Sequence, residues 1–90
     1  MKIAYVYLMR DDPTVAEIAP DHAAYWDSLE LDGYAGGPFE DRTGGLIVFE
    51  CDSLEHARWH VEGDPFVGHN LLTASWLKQW SVQSPASVQN

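Results

Sequence analysis

Two hydrophobic periods alternate along this chain. From Lys2 to Met9 the period is two. Ala4, Val6 and Leu8 fall on one side, and Ile3, Tyr5 and Tyr7 on the other. Both sides are apolar, which predicts a central strand. From Pro20 to about Leu31 the spacing changes. His22, Tyr25, Trp26 and Leu29 follow i, i+3, i+4, i+7 and share one helix face, which must pack on the sheet. Pro20 suits a first helical turn, and Asp21 there complements the helix dipole. His22 is therefore expected at the start of this helix, on its inward side. The intervening Arg10 to Ala19, with Asp11-Asp12-Pro13-Thr14, reads mainly as loop, with a turn of helix as the alternative.

Gly33 to Phe39, then Glu40 to Gly45, then Leu46 to Phe49 read as strand, polar turn, strand. Gly33 is expected to stop the preceding helix as its C-cap. Gly36 and Gly37 predict a bulge or a close backbone approach, and Pro38 predicts a sheet edge. Asp41 to Gly45 is turn chemistry. Leu46 to Phe49 is a short apolar run, as expected of a strand buried on both faces. Asp52 or Ser53 caps a second helix, with Glu55 in its first turn, Leu54, Ala57, Arg58 and Val61 on its inner face, and Gly63 at its end. Asp64 to Gly68 is a connector, and Ala74 to Val82 a last strand. Residues 1–83 read as a single domain, followed by a polar tail from Ser84 to Asn90 that is expected to fray. The order β-α-β-β-α-β predicts an α+β sandwich: one four-stranded antiparallel sheet, two helices on one face, strand order 4-1-3-2.

Composition narrows the function. The chain has 90 residues, which makes one domain. Its net charge of -9, from 14 acidic and 5 basic residues, argues against nucleic acid and against anionic membrane surfaces. No apolar run approaches membrane-spanning length, and Met1 is followed by a strand-like run rather than a signal peptide. Cytoplasmic residence is the default. Cys51 is the one cysteine, so no internal disulfide and no cysteine-based zinc site is expected, and it reads as a small buried hydrophobe.

Topology then gathers the chemistry. The end of the first strand, the start of the first helix, the end of the second strand and the end of the second helix fall at one edge of the sandwich. His22, Gly36-Gly37-Pro38 and Asp64-Pro65-Phe66 thereby converge. His22 with Asp64 makes an acid/base pair, because a carboxylate orients the ring and histidine titrates near neutrality. The structural alternative is a histidine bonded to backbone, with Asp64 as a helix-end or Asx-turn residue. His56 and His60 are an i, i+4 pair, a two-ligand metal face. With no third ligand apparent they read as solvated, opposite Leu54, Ala57 and Val61, and no metal is expected. Trp59 falls near that outer side. His69 lies in the connector, a lesser candidate for the site. Ser28, Thr43, Ser53 and Ser75 have no nucleophile-elbow context, and no phosphate loop or dinucleotide fingerprint is present.

Gly33 to Pro38, Gly44 to Val48, Asp52 to Ala57 and Asp64 to Phe66, in this order and spacing, resemble the YCII-related (YciI-like) proteins, with His22, Tyr25 and Leu29 matching the first-helix histidine pattern. The resemblance spans about Lys2 to Val82. It implies a ferredoxin-like fold of the dimeric α/β-barrel type. It also implies acid/base chemistry through a His and an Asp, here His22 and Asp64. At least one such relative is a dehydrochlorinase of chlorinated hydroxyquinols. This chain departs from many relatives in carrying Ala19-Pro20-Asp21 where they have a basic residue, so an anionic group anchored there is not expected. It also lacks an insertion between the second and third strands, so a lower pocket rim is expected.

The resulting expectation is a small lyase or isomerase acting on a small cyclic organic substrate, without cofactor. His22 and Asp64 would be catalytic, and Gly36, Gly37, Pro38 and Phe66 would hold the substrate. The alternative is a non-catalytic ligand-binding or accessory module. Two helices cover only one face of the sheet, so the other apolar face predicts a homodimer.

Overall fold

β1 (Lys2–Met9) is the middle of the molecule in the computed structural model, which describes residues 1–83. It pairs antiparallel with β3 (Gly44–Glu50) on one side and β4 (Leu72–Gln79) on the other, and β2 (Ala35–Pro38) pairs with β3 at one edge. The sheet order is β2-β3-β1-β4, the expected 4-1-3-2 arrangement counted from the other edge. β2 is an edge strand, where Pro38 leaves no ladder bond unmade. Three helices connect the strands: α1 (Thr14–Ser28), α2 (Leu54–Glu62) and the one-turn α3 (Pro65–Gly68). The tail from Ser84 to Asn90 lies outside the described residues.

The period-two alternation of β1 sorts its two faces. Ile3, Tyr5 and Tyr7 are buried in the core with Trp26, Ile47 and Phe49. Ala4, Val6 and Leu8 are only half-buried on the opposite face. The same holds in β3, where Ile47 and Phe49 are buried while Leu46 is 37% exposed. The expectation that β3 is buried on both faces is thus corrected, because nothing among the described residues covers the second face.

The first helix begins at Thr14, not at Pro20. Asp12 is the reason: its Oδ1 accepts the Thr14 N–H at 2.8 Å, and its carbonyl accepts the Val15 N–H at 3.0 Å. Asp12-Pro13, not Pro20, is the start signal, and Arg10 to Ala19 is mostly helix rather than loop. Pro20 sits inside α1, where it forgoes the bond to the Ala16 carbonyl; both residues are exposed, so that acceptor is not left in the core. Val15, Ile18 and Ala19 extend the inward stripe of Tyr25, Trp26 and Leu29. The helix ends at Leu29, and Glu30 rather than Gly33 takes the first left-handed conformation (φ 50°). Gly33, at φ 63°, serves the turn into β2 instead.

Ser53 is the cap of α2, its Oγ accepting the His56 N–H at 3.0 Å, and Gly63 closes the helix as expected. The buried face of α2 carries Ala57 and His60, while Arg58 is exposed. This corrects the expected inner face: a guanidinium stays in water, and the imidazole goes inside. The connector also contains more order than expected, since Pro65–Gly68 makes a helical turn, and β4 starts at Leu72 rather than Ala74.

Candidate active site

The site is assembled where α1, α3 and the end of β1 meet. Asp64-Pro65-Phe66 is an N-cap signature. Asp64 Oδ1 accepts the Phe66 N–H at 2.8 Å, and Pro65, which has no N–H to satisfy, occupies the first turn. The cap therefore fixes the Asp64 carboxylate in place, 1% exposed. Its remaining lone pairs face α1. Trp26 Nε1–H donates to Oδ2 at 2.9 Å, and His22 Nδ1 lies 2.8 Å from Oδ1 and 2.9 Å from Oδ2. His22 and Trp26 are four residues apart, so a single helix face delivers both.

A carboxylate only accepts, so Nδ1 carries the hydrogen and the neutral ring presents the Nε2 lone pair on its other side. That nitrogen is 3.3 Å from the Tyr7 hydroxyl. Phe66 holds the imidazole by stacking at 4.1 Å between ring centroids. His22 keeps 12% of its side chain exposed. The Tyr7 phenol is pushed up to about 12, first by burial, then by the charge of Asp64 and by Tyr34, so it remains a hydrogen-bond donor through the neutral range. The arrangement is a relay of phenol, imidazole and carboxylate, capable of taking up a proton at Nε2 and returning it.

His22 and Tyr7 line a cleft of about 860 Å3, with Gly36, Gly37, Pro38 and Phe66 also in its wall. The residues that sequence reasoning expected around the site are thus brought together. His22, however, comes from within α1 and not from its start. Tyr7 was missed because it also fills the core, as the alternation of β1 requires; its position near the end of that strand, on the helix side, was the available signal. Trp26 had been placed on the same helix face as His22, without its bond to Asp64. Arg10 and Arg42 also line the cleft, but so do Asp11, Asp12 and Asp41, so the wall does not carry the net positive charge that Ala19-Pro20-Asp21 also lacks. Arg10 Nε donates to the Asn70 carbonyl at 2.8 Å, and Arg42 holds a left-handed φ of 65° in the β2–β3 turn. His69 caps the C-terminal end of α3, is exposed and does not reach the cleft wall.

Away from the cleft, the expectation of a solvated His56–His60 face is only half correct. His56 is exposed, but His60 is buried, and Cys51 at the exit of β3 is half-buried beside them. The His60 imidazole is pushed below its ordinary value by burial and then by His56.

A ferredoxin-like α+β sandwich with a His–Asp dyad facing a cleft under its first helix is the class that fold and geometry define. Residues 3–81 match the model of the YCII-related domain, and the chain belongs to that family. It is 36% identical over 86 residues to the uncharacterized protein YjpA of Bacillus subtilis (strain 168), covering 88% of this chain and 98% of that one. The fold is also that of 5-chloro-2-hydroxyhydroquinone dehydrochlorinase (TftG) from Burkholderia phenoliruptrix AC1100, solved in complex with 2,5-dihydroxybenzoquinone. The two agree with a TM-score of 0.79 at 24% identity, covering 90% of this chain and 94% of the other. No helix among the described residues is long and apolar enough to cross a membrane.

Proposed function

We propose that this protein is a cofactor-independent lyase or isomerase that moves a proton on a small cyclic, hydroxylated organic substrate. The observation that carries this reading is the His22 ring itself. One nitrogen is held by the Asp64 carboxylate at 2.8 and 2.9 Å, and the other meets a hydroxyl within the cleft. His22 Nε2 is the base, Asp64 orients the ring and balances its charge after protonation, and the Tyr7 hydroxyl stabilises an oxygen that gains negative charge. The backbone of Gly36 and Gly37 supplies further dipoles along the wall, and Phe66 and Pro38 the apolar contact.

Fold likeness to a dehydrochlorinase supports an elimination as the reaction. Nε2 takes a proton from the substrate, the released electron pair forms a new π bond, and the halide leaves with the pair of the broken carbon–halogen bond. The imidazolium then returns its proton to water. The step is redox-neutral.

A non-catalytic ligand-binding or accessory role is the second reading. It is favoured by one observation: Trp26 and Phe66 already occupy Asp64, so the carboxylate has a structural task without any substrate. The two readings separate by experiment. Thermal shift with small hydroxylated aromatics, quinones and lactones, 2,5-dihydroxybenzoquinone among them, identifies a ligand class. Turnover of chlorinated hydroxyquinols is then followed against pH. The enzyme reading expects activity to follow one group near neutrality and to vanish in a folded His22→Gln variant. Full turnover by that variant overturns it; binding without turnover in the parent supports the second reading.

A second copy of the chain covers the open face of the sheet. Val6 pairs in register with both Leu46 and Trp76, so three apolar side chains stand in a row across β3, β1 and β4 on the side that no helix covers.

A further inference from the structure

We propose that Cys51, His56 and His60 form a binding site for Zn2+, separate from the cleft. Each offers one ligand atom, and the three atoms lie within 4.8 Å of one another. In a tetrahedral zinc site with Zn–S of about 2.3 Å and Zn–N of about 2.0 Å, neighbouring ligand atoms are about 3.5 Å apart. Closing the remaining gap takes side-chain rotation only, because the backbone is already placed on both sides. Cys51 follows β3, with its N–H donating to the Met1 carbonyl at 2.9 Å and its own carbonyl accepting from the Met1 amine at 2.8 Å. His56 and His60 project from successive turns of α2, whose start the Ser53 cap fixes. Their rings stack at 4.7 Å.

The second observation is His60. It is 7% exposed, and its Nδ1 is buried without a hydrogen-bonding partner among the described residues. A buried polar atom left unpaired is costly and rare in a folded protein, and a site that attracts a cation gives the ring a task. Burial and the neighbouring His56 favour the neutral imidazole, the form with a lone pair to donate. The ligand chemistry selects the ion. One thiolate and two imidazoles suit a borderline-soft cation, not Mg2+ or Ca2+, which take oxygen ligands. The spacing Cys-x4-His-x3-His puts the two imidazoles one helical turn apart. Three protein ligands leave one position open for water or a further ligand. None of the three residues lines the cleft, so this inference stands apart from the proposed reaction. Its structural effect is to tie the exit of β3 to the start of α2.

The test uses the full chain purified without a histidine tag and stripped with chelator. Addition of Zn2+ is expected to raise the melting temperature and to protect Cys51 from alkylation. Co2+ is expected to bind one per chain, with visible bands of tetrahedral geometry and a near-ultraviolet thiolate-to-cobalt band. Cys51→Ser is expected to abolish the thiolate band, and His56→Gln, at an exposed position that folding does not need, to weaken binding. His22→Gln is expected to leave all of these signals unchanged. A cobalt spectrum without the thiolate band, no binding, or binding indifferent to both Cys51→Ser and His56→Gln overturns the site.

Discussion

The Tyr7 phenol and the His22 imidazole meet edge to face, ring centroids 5.5 Å apart, with the hydroxyl 3.3 Å from Nε2. This contact is the face of the relay that lines the cleft. Tyr7→Phe preserves the ring packing and removes only the hydroxyl. If that hydroxyl stabilises a developing oxyanion, kcat falls on the order of 10²-fold, as on loss of one oxyanion donor; the fold is kept, because one lost hydrogen bond costs only about 0.5–1.5 kcal/mol of stability. Full kcat in a folded Tyr7→Phe would assign the tyrosine to packing alone.

Asp64 accepts from three donors at once: His22, the Trp26 indole and the Phe66 backbone. Asp64→Ala strands them, two inside the core, at about 1–3 kcal/mol each. Denaturant unfolding should therefore show a loss of at least about 3 kcal/mol. Asp64→Asn keeps an acceptor for Trp26 or Phe66 but offers His22 an amide, so it should lose less stability than Asp64→Ala while still disabling proton transfer. An Asp64→Ala protein as stable as the parent would contradict the burial and bonding described for this carboxylate.

Gly45 faces Tyr7 across the β1–β3 pair. A Cβ there would fall onto the Tyr7 phenol and sit 2.7 Å from the Gly37 carbonyl. Gly45→Ala must displace Tyr7 from His22 or strain the sheet, at a cost of about 1–3 kcal/mol. Gly37 is the control: a Cβ on it meets nothing within 4 Å, so Gly37→Ala should change stability by no more than about 0.5 kcal/mol. Thermal melts of the two variants decide it; equal melting temperatures would remove the steric argument.

Much of this architecture was legible because each period had one meaning. Lys2–Met9 alternates, and the strand has those bounds. Asp64-Pro65-Phe66 and His22 were brought to one edge by topology alone, and the structure places His22 Nδ1 2.8 Å from Asp64. What was missed has physical causes. Two prolines competed to start α1, and the local hydrogen bond from Thr14 N–H to the Asp12 side chain outweighed the stronger apolar pattern after Pro20. Tyr7 hid its hydroxyl within a core alternation. Cys51 and His60 are nine residues apart in sequence, and only the packing of α2 on the end of β3 brings them together.

Burial raises all four tyrosine phenols, Tyr7 to about 12 and Tyr5 further. A phenol whose folded value lies above its unfolded value of 10.0 stabilises the fold fully below pH 10. That contribution is lost as pH rises through the folded value near 12. Phenolate absorbance should therefore stay low at pH 10 and rise above it together with loss of far-ultraviolet circular dichroism. Tyr5 adds a check: its hydroxyl is buried with no partner among the described residues, so Tyr5→Phe should be neutral or stabilising and should move alkaline unfolding upward. Tyrosines that ionise near pH 10 with the fold intact would show that they are not buried as described.

The open sheet face predicts the assembly. Val6, Leu46 and Trp76 lie side by side across three strands, with Leu46 37% and Trp76 48% exposed. Half-buried Ala4 and Leu8 flank Val6 along β1, and Val48 adds to the patch from β3. Lys78, paired with Ala4, adds a charge toward one end of this face. An antiparallel approach of two copies about a two-fold axis sets the apolar row against itself while separating the two lysines. Burial at about 25 cal/mol per Å2 favours such an interface even after the costs of association. Sedimentation equilibrium at micromolar concentration should give twice the 10.1 kDa chain mass. Val6→Glu should give a folded monomer, because the carboxylate would be buried at the centre of the interface and left unpaired there. A parent protein that sediments as a monomer removes the face-to-face dimer, and a Val6→Glu dimer would move the interface to another surface.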